Sequence, residues 1–162
     1  MLLRTRQERV RRKEAYYVEE TQQGYTAELT LKAMDREGID IAILFRTAVG
    51  LATHVDGQDP AYSMALCRAF NDWLADFART DPRRLKGAAL LPLNDIPAAA
   101  KEAERVVKDL DLVAVTLPST ALNDRMPHDR ECDLLWATLQ DLDVPVTFHD
   151  TSGGYSLNNP GY

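Results

Sequence analysis

Four short apolar runs limit what this chain can become: IDIAILF (39–45), LKGAALL (85–91), LVAVTL (112–117) and VPVTFH (144–149). None alternates regularly between apolar and polar residues, as a strand with one wet face would. Strands covered on both faces read this way, and they belong to parallel sheets flanked by helices. The segments between the runs carry helical period. In DPAYSMALCRAFNDWLADFARTDP, Asp59 is placed to cap a helix, Pro60 fits its first turn, and Leu66, Phe70, Trp73, Leu74 and Phe77 share a face. Another helix opens near Pro97 and turns Ala99, Ala103, Val106, Val107 and Leu110 inward. A further one, between Asp129 and Leu142, aligns Leu134, Leu135, Thr138, Leu139 and Leu142. Ahead of the first strand, Thr26 can cap a helix that stops at Gly38. The order α-β-α-β-α-β-α-β implies right-handed crossovers and one parallel sheet, an α/β fold. The first 25 residues and the tail GGYSLNNPGY carry no confident period and read as loops, or as segments that need something further to pack on.

Composition narrows the function classes. At 162 residues and 45% apolar content the chain can bury one sizeable core, so disorder is excluded. A net charge of -6 argues against nucleic acid or an anionic membrane as partner. The basic run RTRQERVRRK, at residues 4–13, reads as a solvated terminal face. Cys67 and Cys132 lie far apart with no CxxC spacing, which fits reduced thiols. No run approaches the length of a membrane span, and MLLRTRQERV lacks the apolar core of a signal peptide. The expected compartment is the cytoplasm.

A parallel sheet carries its chemistry at the carboxyl ends of its strands. Arg46, His54, His128, and His149 with Asp150 all follow strand ends, so the chain's three histidines lie on one side of the sheet. His149, the last residue of a buried strand, has the position of a metal ligand or proton carrier; a hydrogen-bonded core histidine is the other reading. Asp150 can orient it or simply begin a loop. Arg46 can hold a substrate carboxylate or sit in a rim salt bridge. His54 and His128, in THVDGQDP and NDRMPHDREC, read as solvent-exposed loop residues on context alone. Asn71 interrupts an apolar helix face and reads as a cap for the polar end of another element. Trp73 and Trp136 read as core anchors. Gly153-Gly154 lacks the spacing of a phosphate loop, and there is no HxH, HExxH, CxxC or GxSxG.

The order of several phrases carries a resemblance. MDREGIDIAILF, then CRAFNDWLADFARTDPRRLKGAALLPLNDIPAAAKEAERVV, then CDLLWATLQDLDVPVTFHD resemble the amidohydrolase-related family that includes aminocarboxymuconate semialdehyde decarboxylase. The match runs from about residue 26 to 155, leaving 1–25 as a basic N-terminal segment. The resemblance implies a metal-dependent (β/α)8 barrel that hydrolyses C–N or related bonds, or decarboxylates aromatic and unsaturated acids. It implies a divalent metal, zinc in most members, with His149 as one ligand. It also brings Arg46 and His54 to the substrate pocket of a small-molecule carboxylate or C–N substrate.

The family's first strand bears an HxH pair, and no histidine precedes Thr26 here. The remaining ligands would lie beyond Tyr162, and no catalytic base is assigned. The expectation is therefore a single incomplete barrel domain over residues 1–162, a partial TIM barrel holding strands two to five, whose exposed edges make it a homo-oligomer. The rival readings are a non-catalytic half barrel that pairs with another chain, and a doubly wound sheet whose strand order is not sequential.

Overall fold

The computed structural model describes residues 16–46, 53 and 55–149. Two helices come first, α1 (Val18–Gln23) and α2 (Ala27–Glu37), followed by β1 (Ala42–Leu44), α3 (Pro60–Ala78), β2 (Leu85–Leu90), α4 (Ile96–Lys108), β3 (Ala114–Pro118), a 3-10 turn (Arg130–Cys132), α5 (Asp133–Asp141) and β4 (Val146–His149). The caps expected from the sequence form. The Thr26 hydroxyl accepts from the Leu29 amide, and the carboxylate of Asp59 accepts from that of Tyr62; a cap that the sequence reading did not include is Asp95, whose carboxylate accepts from the Ala98 amide. Gly38, at φ 69, ends α2 in the left-handed region that an L residue enters only at a cost. Helix α1 corrects the expectation that everything before residue 26 is loop: it turns back at Gly24, φ 80, and Glu20 is buried beneath the Arg36 guanidinium of α2.

The four strands form one parallel sheet in the order β1-β2-β3-β4. That sequential order removes the doubly wound alternative. Register assigns the two faces, because side chains alternate along a strand. Ala42, Leu44, Leu85, Gly87, Ala89, Val115, Leu117 and Val146 face the helices, where they meet Met34, Leu74, Ala99, Ala103, Val106, Leu135 and Leu139 in the core. Gly87 is small for a reason: a β-carbon there would stand 2.6 Å from a methyl of Leu112 and 3.0 Å from Leu74. The opposite face carries Ile43, Lys86, Ala88, Leu90, Ala114, Thr116, Pro118, Thr147 and His149.

That second face is concave. β1 and β4 are separated by two strands, yet the rings of Phe45 and His149 lie with centroids 6.0 Å apart and Arg46 bonds the His149 backbone. Strands spaced about 4.8 Å apart in a flat sheet would not bring those ends together. The sheet is curled like part of a barrel.

Two expected core residues are not core. Trp73 is 55% exposed and lies over the half-buried rings of Phe70 and Phe77, which themselves pack on the core, at ring separations of 5.8 and 5.3 Å. Leu134 is likewise exposed, because α5 turns Leu135 and Leu139 inward instead. Trp136 does pack on the core, and its indole N–H donates to the Pro127 carbonyl at 2.6 Å.

Candidate functional site

His149 is the last residue of β4, paired in register with Pro118 of β3, and its side chain falls on the concave face. It is half-buried, with its ring tilted 43° against that of Phe45. Just below it, the hydroxyls of Thr116 and Thr147 share a hydrogen bond of 3.0 Å, and the Thr147 hydroxyl also contacts the Val115 carbonyl oxygen at 3.0 Å. These bonds satisfy polar groups that would otherwise be stranded inside the curl. The imidazole thus stands at the rim of the concave face, above a polar but internally satisfied floor.

Arg46 follows β1 by two residues and is 2% exposed. Its Nη2 donates to the carbonyl oxygen of His149 at 3.0 Å, which places the guanidinium in the interior beside the end of β4. His54 and Asp150 lie outside the described residues, as do Gly153, Gly154 and the basic run at 4–13. Thr53, beside His54, is fully buried. His128 is exposed and 3.9 Å from the Asp129 carboxylate, which matches its reading as a solvent residue.

The carboxyl-end loops are stitched to one another. The Asp56 carboxylate accepts from the Asn123 amide at 2.7 Å, the Asn123 side chain accepts from the Gly57 amide at 2.6 Å, and Arg125 donates to the Leu93 carbonyl at 2.8 Å. These bonds join the loops after β1, β2 and β3. Asn123 and Asp124 hold positive φ, 51 and 59, a conformation that short polar side chains tolerate. The sequence showed a polar loop here and nothing of its partners.

Asn71 has the capping role expected of it. Its amide N–H2 donates to the Leu90 carbonyl at 3.1 Å, and its oxygen accepts from the Leu90 amide at 2.8 Å, so one side chain serves both backbone groups as a neighbouring strand would. β1 has ended before that rung of β2. Asn71 is held in turn by Glu102 of α4 at 2.9 Å, a carboxylate with no exposed surface that also takes Arg68 at 3.0 Å and Arg105 at 2.7 Å. Burial pushes the Glu102 carboxyl up, but Arg105, Asn71 and Arg68 outweigh it and hold the carboxyl below the usual carboxylate range. Glu102 was missed in the sequence, although its place between Ala99, Ala103 and Val106 on an inward face was the available signal.

As a metal centre the described residues are incomplete. No three His, Cys, Asp or Glu residues converge among them. His149 has the position and chemistry of one donor, and a structural or catalytic metal takes three or four. Among the described residues no helix is long and apolar enough to cross a membrane.

Comparison with known proteins defines the class. The amidohydrolase family model matches residues 18–157, and the chain belongs to that family. Among characterised relatives, the gamma-resorcylate decarboxylase of Polaromonas sp. (strain JS666) is 32% identical over 124 residues, which cover 74% of this chain and 37% of the relative. The chain therefore spans well under half the length of the relative it matches. In structure it superposes on the Polaromonas dihydroxybenzoic acid decarboxylase, solved with bound manganese and 2-nitroresorcinol, with TM-score 0.68 and 30% identity over 76% of this chain and 38% of the other. It also superposes on the 5-carboxyvanillate decarboxylase of Novosphingobium aromaticivorans, complexed with manganese and a nitrobenzoic acid, with TM-score 0.66 and 26% identity over 74% of this chain and 33% of the other.

Proposed function

We propose that this chain supplies part of the barrel of a metal-dependent decarboxylase acting on a hydroxylated aromatic acid, with His149 as one ligand of the metal. The observation that carries the reading is the His149 imidazole at the carboxyl end of β4, on the concave face of a curled parallel sheet. The decarboxylases it resembles were solved with manganese, which favours manganese over the zinc expected from the sequence. A divalent metal, when bound, supplies a Lewis acid that orients and polarises a substrate bearing hydroxyl and carboxylate groups.

The chain's own residues have distinct parts in this reading. His149 offers a ring nitrogen as a donor, and Phe45 and Ile43 give an apolar wall that excludes water from one side of an aromatic substrate. Arg46 brings a guanidinium, always charged, to the end where a carboxylate would sit. His54 is assigned to the same substrate side by its place after β1. The protein acts as a homo-oligomer, and its two buried free thiols suit the reducing cytoplasm.

The test is a chimera in which residues 26–155 replace the corresponding part of the Polaromonas gamma-resorcylate decarboxylase. It should release carbon dioxide from 2,6-dihydroxybenzoate in the presence of manganese. His149→Ala in that chimera should lose both bound manganese and activity. Full metal occupancy in the alanine variant would sink the assignment.

A further inference from the structure

Arg46 and His149 are 103 residues apart in the chain and sit at the ends of the two edge strands of the sheet. The bond between them spans the mouth of the curl, from the segment after β1 to the last rung of β4. The Pro145 carbonyl accepts from Val115, so by the two-residue period of a strand the carbonyl of His149 also faces β3. The last described pair of β3 with β4 is Pro118 with His149. Arg46 brings a charged donor to the carbonyl beside that pair. The preceding residue, Phe45, places its ring 6.0 Å from the imidazole of the same histidine. Two consecutive residues just after one edge strand therefore meet the backbone and the ring of the residue that ends the other.

We propose that Arg46 is a positioning residue: its guanidinium braces the carboxyl end of β4 and so fixes the direction in which the His149 imidazole points. A guanidinium has several N–H donors in a rigid plane, so bracing His149 with one of them is compatible with a carboxylate lying against another. A lysine at the same place would keep the charge but lose the planar fork that sets the angle. The importance of the brace for catalysis rests on the reading of His149 as a metal ligand; the brace itself does not.

The experiment is nuclear magnetic resonance of the metal-free chain. With three histidines in the sequence, the ring signals are assigned by His54→Gln and His128→Gln. The wild type should show a cross-peak between the rings of Phe45 and His149. In Arg46→Met the cross-peak should be lost, and amide exchange at Phe148 and His149 should quicken about tenfold relative to β2 and β3. The indole signals of Trp73 and Trp136 should stay put, which shows that the fold is intact. Arg46→Lys should fall between the two, and it is the variant read if Arg46→Met does not fold. A folded variant that keeps the cross-peak and the slow exchange overturns the proposal. Broadening of the His149 ring signal by manganese in the wild type decides the ligand reading separately. If that broadening is absent, the ligand reading fails, and the brace is still judged on the cross-peak.

Discussion

Cys67 shows how little a residue's type says about its chemistry before its surroundings are known. Its thiol lies on the inward face of α3 with no exposed surface. Burial pushes its pKa up to about 12, the nearby Glu102 charge adds to the rise, and Arg46 opposes it. Cys132 is also raised by burial. The thiolate is the reactive species, so neither cysteine is a nucleophile at neutral pH. A thiol reagent at pH 8 should leave Cys67 unlabelled in the folded chain and label it once urea is added. Rapid labelling without denaturant would contradict its place in the core. The raised pKa also sets a sign for stability: the folded state holds a proton that the unfolded chain releases at 9.0, so stability is full below that value and declines as pH rises from 9.0 toward about 12. His149 was the residue most legible from the sequence, because its place at a strand end follows from local pattern. Its tie to Arg46 was not, since no local pattern links two positions 103 residues apart.

The elements show why the family's phrases could be recognised before their reasons were visible. In the phrase around Met34 and Asp35 the methionine is core, while the aspartate takes Nη1 of Arg84 at 2.6 Å. Arg84, from the turn after Pro82, also donates to the carbonyls of Ile39 and Asp40 at 2.8 and 3.0 Å. Two phrases some fifty positions apart thus lock the entry of β1 to the entry of β2. Strand and helix order followed from apolar period, but the strands run a little shorter than the apolar runs, because pairing stops where the neighbouring strand ends. Trp73 went wrong for a physical reason: helical period fixes which residues share a face, but not how wide the covered stripe is. The α3–α4 contact depends on Asn71 and Glu102, and there the consequence can be measured. Glu102→Gln should cost about 3 kcal/mol, the scale on which a buried ion pair fails when one partner is neutralised. Because its folded carboxyl titrates below the unfolded value of 4.5, Glu102 stabilises the fold above that value and loses the contribution as pH falls through its lower folded one. Urea unfolding of wild type and variant should therefore converge at acid pH, and a constant gap down to pH 2 (about two units below a carboxylate's ordinary value) would contradict the role.

At the scale of the molecule, the curled sheet leaves apolar surface in water. Ile41, Ile43 and Phe45 of the β1 segment are 59%, 54% and 39% exposed, and Phe148 of β4 is 54% exposed. Both strands are edges of the described sheet and offer unpaired backbone groups to any strand that approaches. An apolar face beside an open edge is the usual preparation for association. The net charge of -6 opposes it, but only through screened surface repulsion. Burial of apolar area gains roughly 25 cal/mol per Å2, so a few large side chains on each partner outweigh that repulsion. The chain should therefore scatter light as a dimer or larger species at concentrations on the order of tens of micromolar, the range in which exposed edges and apolar faces associate. Added salt should strengthen the association, since it weakens the repulsion and leaves the apolar contact standing. Ile43→Lys places a charge on the concave face beside the open edge, the device by which natural edge strands resist pairing. That variant should shift the population toward monomer with little change in melting temperature, because Ile43 is already half in water. A wild type that stays monomeric at high salt would mean that this face is covered from within the chain, and the account of β1 as an open edge would fall with it.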